Sequence, residues 1–317
     1  MRHHLANRKV QVLLNGGFGL VLLAVGFFGA KHFVKGGWPL KQADPILVGA
    51  AAALFLIAYA FKAWGWQRLF KEEERPAAGA LAFAGGAACV GGVAMPGRID
   101  DAIRIACVRR FPGTTAGLGT IGLTLIVVGM LDNAALAPLA SVALADASSW
   151  TVRAGFLVVA VAGVLAAAVV AFLPQLSATR HVVRFRLGRW LGQHTQCRKE
   201  SAAALGLISV SWALRGTAVF LLLNALALKG SFPLALGFLC ASAASAAVPI
   251  GPAGAAMQAG AGATLLALSG MPKAEALAFS VAAQALVVVT GAAVILLVAG
   301  WQVALRVKPH LWRPSVV

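Results

Sequence analysis

The chain has 317 residues, 60% of them hydrophobic and 12% charged, with a mean hydropathy of +0.84. That composition excludes a soluble globular domain, and several apolar runs approach the roughly 20 residues that cross a bilayer as helix. The net charge of +17 and pI near 11.1 do not mark a nucleic-acid binder, because the bases are scattered between apolar spans rather than gathered on a polar domain.

The first predicted span covers residues 12–33. Arg2, Arg8 and Lys9 precede it as they would a signal peptide, but the run is too long for a cleaved apolar core, and Lys31-His32-Phe33-Val34-Lys35 follows it where small residues would be needed. A second span at 45–64 opens on Pro45, where a missing amide proton costs little, and a polar loop at 65–75 follows. Segment 76–112 begins rich in Ala and Gly, reaches Met95-Pro96-Gly97, and then carries Arg98, Asp100, Asp101, Arg104, Arg109 and Arg110. A charged return of this kind fits a re-entrant hairpin. A third span at 114–144 completes a first half, 1–150.

The second half, 151–317, holds a span at 152–173, a basic linker at 178–200, a span at 202–228, a segment at 234–269 broken by Val248-Pro249-Ile250-Gly251-Pro252-Ala253-Gly254, and a span at 275–298. The linker, with Arg184, Arg186, Arg189 and Trp190, reads either as a surface helix on anionic lipid or as a plain connection. Each half therefore reads as two spans, a re-entrant hairpin and one span, and the halves enter the membrane from opposite sides. With both termini cytoplasmic, twenty of the 27 Lys and Arg fall inside, including the group from Lys62 to Arg75, and six outside. Eight full crossings would also fit the hydropathy, but would move Arg98 and Arg104 outside. The expected fold is thus an all-α polytopic membrane protein of about six transmembrane helices plus two re-entrant hairpins in two inverted-topology halves. Paired breaks at corresponding places are the sequence mark of a transport pathway.

Arg104 stands three and four residues after Asp101 and Asp100, so a helix starting near Pro96 would neutralise it locally and leave Arg98 free for a phosphate. The competing reading is a pair of salt bridges that lock the hairpin. Arg215, deep in its span, needs a partner. Asp132 is the expected one, with Asn133 beside it, and both a structural bridge and substrate contact remain open. Gly251 and Gly254 with Pro249 and Pro252 would allow an unwound turn, to which Gln258 adds an amide. Ser242, Ser245, Gln284 and Thr290 are candidate path-lining or interhelical polar groups. His194 and Cys197 form one short pair, and Cys89, Cys107 and Cys240 are dispersed, so no metal site, cofactor or disulfide framework is expected.

The run Pro96-Gly97-Arg98-Ile99-Asp100-Asp101-Ala102-Ile103-Arg104 resembles the Pro-Gly-Arg-hydrophobic-Gly-Glu-x-x-Arg signature of the lysylphosphatidylglycerol synthase transmembrane-region family, the flippase-like integral membrane proteins. Arg109, Arg110 and Asp132 fit the family's course, and Pro249 to Gly254 with Gln258 sits where it carries a Pro-Gly-Gly-x-Gly-x-x-Glu-like segment. Here Asp100 replaces the glycine, Asp101 the glutamate, and no carboxylate stands in the second segment. The resemblance implies a lipid-handling membrane protein, often a translocase.

The function these residues predict is translocation of an anionic phospholipid or polyprenyl-phosphate-linked lipid in a bacterial-type cytoplasmic (inner) membrane. A transporter rather than a catalyst is expected, with no cofactor and a phosphate-bearing lipid as partner. The alternatives are a membrane subunit of a cell-envelope lipid synthesis complex, with an enzyme partner, and a small-anion transporter.

Overall fold

The computed structural model describes residues 43–94, 99–147, 149–178, 197–228, 230–247 and 254–307. The predicted first span, Pro96, Gly97, Arg98, Pro249, Gly251, Pro252 and most of the basic linker lie outside them. The described residues form nine α-helices and no strand, as an all-α polytopic membrane protein requires. In chain order these are α1 Pro45–Gln67, α2 Ala78–Ala94, α3 Ile99–Arg110, α4 Leu118–Asp146, α5 Trp150–Ala178, α6 Arg198–Ala225, α7 Phe232–Ala247, α8 Gly254–Leu268 and α9 Lys273–Val307. Five of them (α1, α4, α5, α6 and α9) are long and apolar enough to cross a membrane.

Local chemistry sets the helix ends. Asp44 caps α1 by accepting from the amides of Ile46 (2.8 Å) and Leu47 (3.4 Å), while Pro45 fills the first turn, where no intrahelical donor is required. The Asp44 amide donates to Ala225 O at 2.9 Å, which ties the start of α1 to the end of α6. In α3 the acids Asp100 and Asp101 occupy the first turn and Arg109 and Arg110 the last, each sign opposing the helix dipole. Left-handed glycines make two turns, Gly113 (φ 82°) between α3 and α4 and Gly270 (φ 94°) between α8 and α9. Both lie at the join of a short helix to a following long one.

The antiparallel pair α1 and α6 forms the centre. A Cβ on Gly65 would meet Ile208 Cγ1 at 2.8 Å, and the buried Ser211 hydroxyl donates to Ala58 O at 2.8 Å. Small residues let these backbones approach where no water drives helices together. Trp66 Nε1 donates to Thr124 Oγ1 at 3.0 Å and brings α4 against the pair. The α2–α3 hairpin packs on α9, where Gly86 faces the Gly291 carbonyl closely enough that a Cβ would lie 2.6 Å from it. The α7–α8 hairpin packs on α4 and α9, with Phe238 edge-on to Phe279 at 5.0 Å. Peripheral α5 lies mainly along α4 and leaves Val158, Val161, Val164 and Leu165 exposed, as lipid contact would.

The ends of the bundle differ in charge. Gln67 Nε2 donates to Pro76 O, Thr115 Oγ1 to Glu73 O, and Arg68 pairs with Glu200, so the end of α1 and the starts of α2, α4 and α6 share one end. Arg68, Lys71, Arg75, Arg109, Arg110, Arg198 and Lys199 stand there and outnumber Glu72, Glu73, Glu74 and Glu200. Asp44, Ala225, Asp146 and Ser231 mark the opposite end, where the Ser231 hydroxyl donates to Asp146 Oδ2 at 3.0 Å.

Candidate intramembrane charge site

Asp132 lies fourteen residues from either end of α4, so it sits at the centre of an apolar helix. Lys62 Nζ of α1 reaches its Oδ2 at 2.8 Å, and Trp212 Nε1 of α6 donates to its Oδ1 at 2.8 Å. Both carboxylate oxygens are therefore engaged, by donors from two other helices. Charge-assisted bonds of this length are the stronger kind, and they compensate the cost of drawing Asp132 and Lys62 out of water. The pair is not sealed, since 24% of the lysine side chain and 21% of the aspartate remain exposed.

Arg215 stands three residues after Trp212, yet it does not take Asp132. Its guanidinium lies over two rings instead, 5.2 Å from the Trp212 centroid and 5.5 Å from that of Tyr59. The Lys62 ammonium lies 5.7 Å from the same indole. Each contact contributes about 0.5–2 kcal/mol by attraction to the ring quadrupole. That is comparable to the roughly 3 kcal/mol that insertion scales assign an arginine at a helix centre. It satisfies no N–H donor, however, and the buried Nε of Arg215 has no hydrogen-bond partner among the described residues. Asn133 does not serve it either, because its amide donates to Gly129 O of its own helix at 3.0 Å. The expected Arg215–Asp132 bridge is thus replaced by Lys62–Asp132, with the arginine stacked alongside.

Arg104 behaves as its spacing predicts. It pairs with Asp100 at 3.1 Å and Asp101 at 2.6 Å, one turn back along α3. Of the second segment, Gly254 starts α8, and Gln258 Oε1 accepts from Gln284 Nε2 at 3.5 Å, while the Ser242 hydroxyl donates to Gln258 O at 3.1 Å. Ser245 and Thr290 donate to carbonyls of their own helices. Along α9, Gln284 precedes Gly291 by seven residues, about 10 Å of rise. A Cβ on Gly291 would lie 3.3 Å from the Tyr59 hydroxyl, so the amide pair and the charged site occupy neighbouring levels of one helix.

Spacing and composition alone single out none of Lys62, Tyr59 and Trp212. By charge Lys62 falls with the loop cations, whereas α1 continues to Gln67. The signal lay in Ala63-Trp64-Gly65-Trp66, which carries the apolar run past the lysine. Among the described residues no three His, Cys, Asp or Glu side chains gather as a metal would need.

The fold and this site define a multi-pass membrane protein with an ion pair held at the middle of its bundle. The chain belongs to the family described as lysylphosphatidylglycerol synthase TM region, whose model matches residues 12–297. No curated protein and no solved structure matches it.

Proposed function

We propose that the protein is a lipid translocase that moves an anionic phospholipid or polyprenyl-phosphate-linked lipid between the leaflets of a bacterial-type cytoplasmic membrane. The observation that carries this reading is the Lys62–Asp132–Trp212 constellation, a charged centre at mid-depth in a bundle otherwise built for hydrocarbon. Ionisable groups at that depth face the bundle interior or a water-filled cavity, and by default they mark a substrate or ion pathway. A headgroup crossing there exchanges water for fixed polar partners while its acyl chains stay in lipid.

The hairpins are read as re-entrant and the halves as inverted repeats. Supporting the first, α2 has 17 residues and α3 has 12, lengths of about 25 and 18 Å against a hydrocarbon core of about 30 Å. Cys89 Sγ near the end of α2 donates to Val287 O, fourteen residues into α9, about 21 Å from that helix's start at the opposite end. Supporting the second, α1 and α6 pack on each other, the α2–α3 hairpin packs on α9 as the α7–α8 hairpin does on α4, and Gly113 and Gly270 occupy corresponding turns. Exchange of the two halves relates all three features, the arrangement used for alternating access. The basic end is read as cytoplasmic, with both termini there.

Purified protein in vesicles carrying a fluorescent phosphatidylglycerol tests the reading, with exchange followed by quenching of the outer leaflet. Wild-type protein should accelerate exchange over protein-free vesicles, and Asp132→Asn should slow it at least tenfold. Exchange no faster than in protein-free vesicles would overturn the reading.

A further inference from the structure

The neutral polar side chains inside the bundle mostly end on backbone. The hydroxyls of Ser211, Ser245, Ser280 and Thr290 donate to carbonyls, and the amides of Asn133 and Asn224 donate one turn back along their own helices. Gln258 of α8 and Gln284 of α9 differ. Gln284 Nε2 reaches Gln258 Oε1 at 3.5 Å, longer than an ordinary N–H···O bond, and neither side chain has another hydrogen bond among the described residues. That contact engages one N–H and one carbonyl, which leaves N–H donors on both side chains and the Gln284 carbonyl to be satisfied. Gln258 lies four residues from the start of α8, and Gln284 eleven residues into α9, about 16 Å along that axis and so near mid-depth. One turn further along α9, Cys89, five residues before the end of α2, donates to Val287 O. The inner ends of both hairpins therefore converge on the amide pair.

We infer that Gln258 and Gln284 form an uncharged subsite for neighbouring hydroxyl groups, as a glycerol or a sugar carries them. The hydrogen-bond inventory selects the class. A phosphate only accepts and an ammonium only donates, whereas the groups left on the two amides include N–H donors and a carbonyl acceptor, and a hydroxyl answers both. Two amides face to face offer donors and acceptors side by side to adjacent hydroxyls, and they do so without placing a further charge at mid-depth. A contact that served only to join α8 to α9 would need no more than the one bond. It would leave the other amide groups at a depth where unpaired polar atoms are costly. The inference rests on the translocase reading only for the statement that the hydroxyl-bearing molecule is cargo. To that reading it adds a means of telling apart headgroups of equal charge, which an ion pair does not supply.

The test is calorimetric titration of the full chain in detergent with dihexanoylphosphatidylglycerol and dihexanoylphosphatidylpropanol, which carry the same charge and differ only in the headgroup hydroxyls. Wild-type protein should bind the diol lipid at least tenfold more tightly, because a site built to pair hydroxyls is left unsatisfied by an analogue that lacks them. Gln258→Met and Gln284→Met keep the length of the side chain without its amide, and each should bring that preference below about threefold by weakening the diol lipid. A purely structural role would weaken both lipids alike or neither. Should the methionine variants fail to fold, Gln284→Asn keeps the amide but withdraws it by a methylene and should lose at least threefold of the preference. A dihexanoyl glucosyl diglyceride separates the two sources of hydroxyls. Tighter binding of it than of the phosphatidylglycerol, lost in the same variants, supports the subsite and assigns it to a sugar, and the reverse order supports it and assigns it to glycerol. Equal binding of the diol and propanol lipids by wild type, a preference unchanged in the folded variants, or a parallel fall for both lipids would overturn the inference. Diol preference without leaflet exchange in vesicles would leave this subsite standing and remove the translocase reading. Exchange without diol preference would do the reverse.

Discussion

Lys62 on α1 and Asp132 on α4 meet at 2.8 Å across the middle of the bundle, and the indole N–H of Trp212 closes the second carboxylate oxygen from α6. The ion pair itself joins α1 to α4, and the Trp212 hydrogen bond ties both to α6. Pairs of this kind act less as a source of net stability than as a constraint, because their desolvation offsets much of their attraction.

That asymmetry predicts how the pair fails. Lys62→Met leaves Asp132 ionised with only an indole donor, and Asp132→Leu leaves an unpaired ammonium. Each should cost about 3 kcal/mol, toward the low end of the range for breaking a buried pair because the site is partly open. The double substitution Lys62→Met, Asp132→Leu should recover most of that loss. Thermal unfolding in detergent measures all three, and additive losses in the double variant would contradict coupling.

The hairpin arginine has two carboxylates where one would neutralise it. Asp100→Asn or Asp101→Asn alone should therefore change leaflet exchange by less than about threefold, since the remaining acid still holds Arg104 within its turn. Replacing both releases the guanidinium and should alter the rate at least tenfold. Equal effects of the single and double variants in the vesicle assay would show that the two acids do not substitute for each other.

Much of this architecture was legible because bilayer physics writes itself into composition. A long apolar run has one stable solution in hydrocarbon, and α1, α4, α5, α6 and α9 fall where such runs stand. The i, i+3 and i, i+4 pairing of Arg104 was equally local. What the sequence hid was register between helices. Arg215 and Trp212 are one turn apart on α6, and only the rotation of that helix against α1 and α4 decides which of them meets Asp132. Lys62 was hidden for a related reason: a lysine near the end of an apolar run reads as a boundary, yet its long stem lets the ammonium turn back toward mid-depth.

Glycines at helix crossings should divide by what faces them. Gly86→Ala places a methyl 2.6 Å from the Gly291 carbonyl, backbone that cannot swing aside, so α2 and α9 must separate. The loss of packing should exceed the roughly 1 kcal/mol of helix propensity gained, and the melting temperature in detergent should fall. Gly206→Ala on α6 meets nothing within 4 Å and should raise it. A stable Gly86→Ala variant would mean that the crossing is looser than the structure describes.

Gln258 offers a different kind of test, because an amide there carries no charge at any ordinary pH. Gln258→Glu keeps an acceptor for Gln284 Nε2 and so should fold, but it adds a titratable group about two turns of α9 from the central site. The added acid is neutral below its pKa and a carboxylate above it. Below that point the variant should exchange an anionic lipid at the wild-type rate. As pH rises through it, the carboxylate forms and repels the headgroup, so the ratio of variant to wild-type rate should fall. Exchange measured from pH 5 to pH 9 decides the matter: a ratio that stays flat would place Gln258 away from the path of the headgroup, and a ratio that rises would require the added negative charge to assist transfer.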